Sequence, residues 1–218
     1  MKTKIFFLLI IIVTLSLSFS CKKGISNKNN PGTLTFTSDE INLITSNSED
    51  TAMKIMNIFL YPDTLILRKV SHQIGLNDTV TLNYLIKRMY KTVVNIGVGI
   101  AAPQVGINRR IIWVQRQDRG TISNRPFEVY FNPRIIALSD TLLSRADGCL
   151  SVPGIDANSL RAIWVLIEYQ KKDGVWVTEK ITNKYTAHIF QHEIDHLDGI
   201  MFLDRLAKKN QKFVILKD

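Results

Sequence analysis

Cysteine is nearly absent: the 218 residues hold two, Cys21 and Cys149, and two such isolated thiols do not make a stapled scaffold. Phosphate-binding signatures are missing as well. The glycine-rich stretch Gly97-Val98-Gly99-Ile100-Ala101-Ala102-Pro103-Gln104-Val105-Gly106 has neither G-x-G-x-x-G spacing nor a following Lys-Ser/Thr, which excludes a nucleotide loop. No regular βαβ alternation runs along the chain, so a doubly wound parallel sheet is not expected. The charge is basic, +9 in formal terms, but scattered. Clusters such as Lys171-Lys172 and Lys208-Lys209 lack interleaved aromatics and read as solvated faces, so no nucleic-acid binding is expected and at most a weak attraction to anionic lipid. What remains is 45% hydrophobic and 22% charged, the ordinary balance of one soluble globular domain with some extra sequence.

The extra sequence lies at the front. Met1 to Lys4 carries two lysines and no acid, Ile5 to Leu17 is almost wholly apolar, and Ser18-Phe19-Ser20-Cys21 follows. The apolar run falls short of the roughly twenty residues that span a bilayer, so residues 1–20 read as a signal peptide. Cys21 resembles the lipid-attachment cysteine of bacterial lipoproteins, although Ser18 stands where those signals usually have Leu and Leu17 is one residue further back. The expectation is a lipoprotein anchored through Cys21 and facing the periplasm or cell surface; an unprocessed N-terminus would instead leave the chain in the cytoplasm. Residues 21–51, rich in Asn, Ser, Thr and Lys, are expected to form a flexible polar tether with too little apolar surface to offset its ordering entropy, reaching on the order of 30 Å as a coil. The folded domain is placed at 52–218.

Within that domain, Tyr61-Pro62-Asp63 marks a turn. Asp78 or Thr79 caps a predicted helix whose stripe Leu82, Leu85, Ile86, Met89, Tyr90, Val93 and Val94 keeps the 3.6-residue period up to Gly97. Arg110–Gln115, Glu128–Asn132, Ile163–Tyr169 and Trp176–Ile181 are rich in branched and aromatic residues and read as strands. Lys171-Lys172-Asp173-Gly174 turns the last two into a hairpin. The fold class is therefore α+β: antiparallel sheets packed around a central helix that carries an H-E-x-x-H motif, with one additional N-terminal helix. The chain's end, Lys212 to Leu216, reads as a short strand.

Chemistry concentrates in Gln191-His192-Glu193-Ile194-Asp195-His196. On a helix, His192 and His196 share a face, so both imidazoles can reach one metal ion while Glu193 stands beside it. Two imidazoles leave such an ion in need of a third protein ligand. Cys149, in Asp147-Gly148-Cys149-Leu150-Ser151, offers a thiolate and leaves a position open for water. Gln104 adds a side-chain amide able to donate to a carbonyl, and the small residues before it let a backbone approach a ligand.

Taken together, these motifs resemble those of the peptide deformylase family. Its G-x-G-x-A-A-P-Q is met by Gly97, Gly99, Ala101, Ala102, Pro103 and Gln104; its E-G-C-L-S by Gly148, Cys149, Leu150 and Ser151; its Q-H-E-x-D-H-L by Gln191, His192, Glu193, Asp195, His196 and Leu197. The resemblance extends from about Tyr61 to Arg205. It implies an iron-dependent metallohydrolase that takes the formyl group from N-terminal formylmethionine of peptides or nascent chains, giving formate and a free amino terminus. Cys149, His192 and His196 would hold Fe²⁺, or Zn²⁺, Ni²⁺ or Co²⁺ in its place, and metal-activated water would attack with Glu193 as general base and acid. Gln104 and the Leu150 N–H would stabilise the oxyanion, while Gly97, Val98, Gly99 and His188 would contact the substrate. A monomer is expected.

Two departures stand out. Asp147 replaces the usual Glu, with Arg161 as its expected partner, and His188 occupies a position the family fills with an apolar residue or Arg. A fourth metal ligand at His188 is not expected. Location also conflicts, since deformylation of nascent chains is cytoplasmic and a lipoprotein signal leads outward. The alternatives are a zinc peptidase or other amidohydrolase outside the cytoplasm, and a non-catalytic formyl-peptide-binding lipoprotein.

Overall fold

The computed structural model describes residues 34–206. The expected signal, Cys21, the start of the expected tether and the expected strand at Lys212 to Leu216 lie outside the described residues. Among those described, no helix is long and apolar enough to cross a membrane.

Helix α3 (Thr79–Val93) starts where the Asp78 side chain accepts from the Thr81 N–H at 3.0 Å, satisfying one of the free donors of a helix start. Its stripe of Leu82, Leu85, Ile86, Met89 and Val93 is buried. Two shorter helices precede it, α1 (Ser38–Ile44) and α2 (Tyr61–Leu67), so the expectation of one N-terminal helix is corrected to three among the described residues. Each of the two spans seven residues, too short for a hydrophobic period to show. In α2 the proline read as a turn sits in the first helical turn, where its missing N–H costs nothing.

The tether also needs correction, from residue 34 onward. A capping box between Thr37 and Glu40 starts α1. Phe36, Ile44 and Met53 join the core around α3. Buried Arg88, on α3, donates to the carbonyls of Leu43, Ile44 and Thr51 at 3.1, 2.7 and 3.0 Å, and so closes the C-terminal end of α1, where a cation is favoured. Arg109 pairs with Glu40 at 2.7 Å. A few anchoring side chains thus fix a segment whose average composition is polar.

The main sheet is antiparallel, in the order β1-β2-β3-β6-β7, from β1 (Gly99–Ala101), β2 (Ile111–Gln115), β3 (Phe127–Leu138), β6 (Val165–Gln170) and β7 (Trp176–Ile181). Strand β3 outruns its predicted end because a register shift between Phe131 and Arg134 absorbs Asn132, at φ 51°, and Pro133, as a bulge allows. Strands β4 (Leu142–Gly148) and β5 (Asp156–Ala162) pair separately; their polar sequences hid them from the strand pattern. Helix α4 (Lys184–Leu197) starts at Asn183, whose side chain accepts from the N–H groups of Tyr185 and Thr186. It packs Ile189, Phe190, Ile194 and Leu197 with Ile112, Val114, Tyr130 and Ile167 of the sheet, and every residue from Thr186 to Leu197 is buried.

Candidate active site

Three of the chain's four histidines, His188, His192 and His196, fall on α4 at four-residue spacing, one above another on one face. Cys149 follows directly on β4 and meets them. Its Sγ stands 3.2 Å from His196 Nε2, which stands 3.2 Å from His192 Nε2, and the three donor atoms all lie within 4.8 Å of one another. Gln191 fixes the depth of α4 against β5: it accepts from the Ala162 N–H and donates to the Ala162 carbonyl, both at 2.9 Å.

Asp147, the last side chain on β4, orients the His192 ring. His192 Nδ1 donates to Asp147 Oδ1 at 2.8 Å, which leaves the Nε2 lone pair turned toward Cys149 and His196, the tautomer that a metal ligand requires. Burial pushes the Asp147 carboxyl up, but hydrogen bonds from His188 and His192 and the charges of His192 and Arg161 outweigh it and hold the group well below the usual carboxylate range. Arg161 donates from Nε to Asp147 Oδ2 at 3.2 Å and from Nη1 to Asp195 Oδ2 at 2.7 Å. Arg205 closes on Asp195 from the other side at 2.7 Å.

The residues present fit a cation. Three lone-pair donors of thiolate and imidazole type converge in a buried place, a set that suits several divalent transition metals. Burial alone would lower the His192 pKa, but its hydrogen bonds to Asp147 and Cys149 and the charges of Glu193 and Asp147 raise it to about 10. The anionic groups around His192 therefore favour positive charge at this ring. His196 is the opposite: burial and the His192 charge hold it well below the ordinary histidine value, and its Nδ1 has no hydrogen-bond partner.

Glu193 is buried beside these donors without belonging to their cluster. Its Oε2 has no hydrogen-bond partner, and burial pushes its carboxyl up to about 7 against the lowering effect of His192 and Arg161. A carboxyl that can gain or lose a proton near neutrality suits acid–base work. Gln104 is held from behind, where its Oε1 accepts from the Ala101 N–H at 2.8 Å. Its Nε2 thereby faces Cys149 Sγ at 3.6 Å and Ser151 Oγ at 3.4 Å.

Gln104, Asp147, Cys149, His192 and Glu193 border one cavity of about 370 Å³, which Gly97, Val98, Gly99, Leu150 and His188 also line; His196 joins them through its contacts to Cys149 and His192. The fold thus brings together the residues singled out from the sequence for the metal site, the acid–base role, the oxyanion and the substrate. It adds Ser159, Asp156 and Tyr185. Ser159 Oγ donates to Asp147 Oδ2 at 2.7 Å, and Asp156 and Tyr185 line the cavity. Ser159 and Arg161, two residues apart on β5, point to one side, but that signal is readable only once β5 is known to be a strand.

The sequence matches the family described as polypeptide deformylase over residues 55–212. It is 35% identical over 159 residues to a peptide deformylase of Desulforudis audaxviator, covering 70% of this chain and 94% of that one. It is 42% identical over 146 residues to peptide deformylase 2 of Gloeobacter violaceus, covering 66% and 75%. Among solved structures, a class I type b peptide deformylase from Acinetobacter baumannii with Met-Ala-Ser bound superposes with a TM-score of 0.64 at 31% identity, covering 72% of this chain and 99% of that one.

Proposed function

The chain belongs to the polypeptide deformylase family and is an enzyme that removes the formyl group from N-terminal formylmethionine of peptides, and from this premise we propose how its own residues carry out that hydrolysis. Cys149, His192 and His196 hold one divalent ion; Fe²⁺ is proposed, on the family resemblance. Bound there, the ion supplies Lewis-acid polarisation and lowers the pKa of water. Glu193 accepts a proton from the attacking water as its oxygen adds to the formyl carbon. Gln104 Nε2 and the Leu150 N–H donate to the developing oxyanion, a contribution worth typically about 10²- to 10³-fold in rate per donor. Glu193 then returns the proton to the leaving nitrogen, the C–N bond breaks, and formate and a free amino terminus result.

The substrate backbone is proposed to lie along Gly97, Val98 and Gly99. Among the described residues strand β1 pairs only with β2, and an open strand edge beside a cavity suits an extended peptide. Val98 and His188 border the space for its first side chain. The observation that carries this assignment is the convergence of three ligand atoms next to a buried carboxylate oxygen with no other partner. Protein prepared anaerobically with Fe²⁺ is expected to release formate from formyl-Met-Ala-Ser. Cleavage of an unformylated peptide with no formate release would overturn the assignment in favour of the peptidase alternative, which the relatives do not favour, as they do not favour a silent binding protein.

Location is a separate proposal, supported by sequence composition: export directed by residues 1–20 and acylation at Cys21. Radiolabelled palmitate is expected to enter the wild-type protein and not Cys21→Ala. An unlabelled wild type would leave the cytoplasmic alternative.

A further inference from the structure

Asp147 carries more partners than its short side chain would gather unaided. Oδ1 takes the His192 Nδ1–H at 2.8 Å, and Oδ2 takes Ser159 Oγ–H at 2.7 Å and Arg161 Nε–H at 3.2 Å. A third contact to Oδ2 comes from His188 Nε2 at 3.3 Å. His188 and His192 lie one turn apart on α4, so the two imidazoles face opposite oxygens of one carboxylate. That carboxylate sits on a stalk one methylene shorter than the Glu of the motif it resembles, a difference in reach of about 1.5 Å. His188 is buried, lines the cavity, and is not among the residues whose donor atoms converge. Its Nε2 is turned to Asp147.

Taking Asp147 and His192 in the metal-site roles assigned above, on which this inference rests, we propose that His188 is a positioning residue. By donating from Nε2 to Oδ2 it holds the short Asp147 carboxylate against α4, with Oδ1 aimed at His192 Nδ1. Ser159 and Arg161 approach from β5, which pairs with β4; His188 alone among the Oδ2 donors comes from α4 itself. It therefore ties the carboxylate to the helix that carries both histidine ligands. Losing a group that hydrogen-bonds a metal ligand directly, as Asp147 does His192, typically changes metal affinity by about 10- to 100-fold, and His188, acting through Asp147, is expected at the lower end of that range. In this chain the length of the acid at 147 and the identity of residue 188 become one coupled choice.

The test is a double-mutant cycle read as Co²⁺ affinity of the metal-free protein, followed by the thiolate-to-cobalt absorption band. His188→Leu is expected to weaken binding by about 10-fold or more, and Asp147→Glu to weaken it as well, because the longer arm meets His188. The double variant is expected to recover to near wild type, so the effects do not add. His188→Gln, whose amide can still donate, should fall between wild type and His188→Leu. Thermal unfolding of each metal-free variant checks that it is folded, and formate release gives kcat and KM separately. Unchanged affinity in His188→Leu, or additive losses in the double variant, would overturn the positioning role while leaving the metal site standing. A wild type that binds no Co²⁺ through Cys149 would overturn the metal-site assignment, and the positioning role with it.

Discussion

Glu193→Ala is expected to lower formate release from formyl-Met-Ala-Ser by about 10²- to 10⁴-fold, the range spanned by general acid–base groups, while the variant binds metal as tightly as wild type. The two halves of this expectation rest on different observations. Glu193 lies outside the set of converging ligand atoms, so truncating it should leave the ion's holders in place. Its carboxyl is buried, borders the cavity, has an oxygen with no other partner and is raised to about 7, so truncating it removes a proton acceptor suited to neutral pH. The same carboxylate can be moved from the opposite wall. A Cβ on Gly99 would stand 2.4 Å from Glu193 Oε1 and 2.8 Å from its Cδ, so Gly99→Ala must displace the carboxylate, and it should reduce turnover in the same direction with metal content unchanged. Wild-type turnover in Glu193→Ala would remove Glu193 from the mechanism.

Cys149→Ala is expected to abolish both the metal and the activity, with bound Fe²⁺ or Co²⁺ falling from about one ion per chain, as a three-ligand open site holds, to a trace. A thiolate is the only anionic member of the ligand set, and it comes from the β4 end while both imidazoles come from α4. Its loss therefore takes away the charge that compensates a divalent ion and the only proposed ligand that comes from outside α4. Since binding to the folded state adds to its stability by mass action, Co²⁺ should raise the melting temperature of the wild type and leave Cys149→Ala unmoved. Metal analysis of the purified variant checks the first statement and calorimetry with and without Co²⁺ the second. A Cys149→Ala protein with a full complement of metal would show that the ion is held elsewhere.

The fold was legible where the signal is local. The period of α3 and its Asp78 cap, the four strands with branched and aromatic residues, and the hairpin at Lys171–Gly174 are all carried by neighbours in sequence. Short or polar elements were not. Helices α1 and α2 are too brief to show a period, and β4 and β5 alternate polar groups that are buried because they pair with one another, as Asp147 does with Ser159 and Arg161. The segment from residue 34 to 51 read as a tether because composition averages over it, whereas Ile44, Phe36 and Arg88 hold it at particular points.

For the site, the sequence by itself determined the kind of chemistry. Helical spacing fixes His192 and His196 on one face with Glu193 beside them, and the types thiolate, imidazole and carboxylate follow from composition. Only the tertiary structure decided who orients whom. That Asp147 is shared between His188 and His192, that Arg161 bridges Asp147 and Asp195, and that Gly99 leaves room for the Glu193 carboxylate all depend on the register of β4 with β5 and on the depth at which α4 is seated against them. Contacts within a turn of helix are set by the geometry of the backbone, but contacts between elements are set by how whole faces pack, and no local spacing encodes that distance.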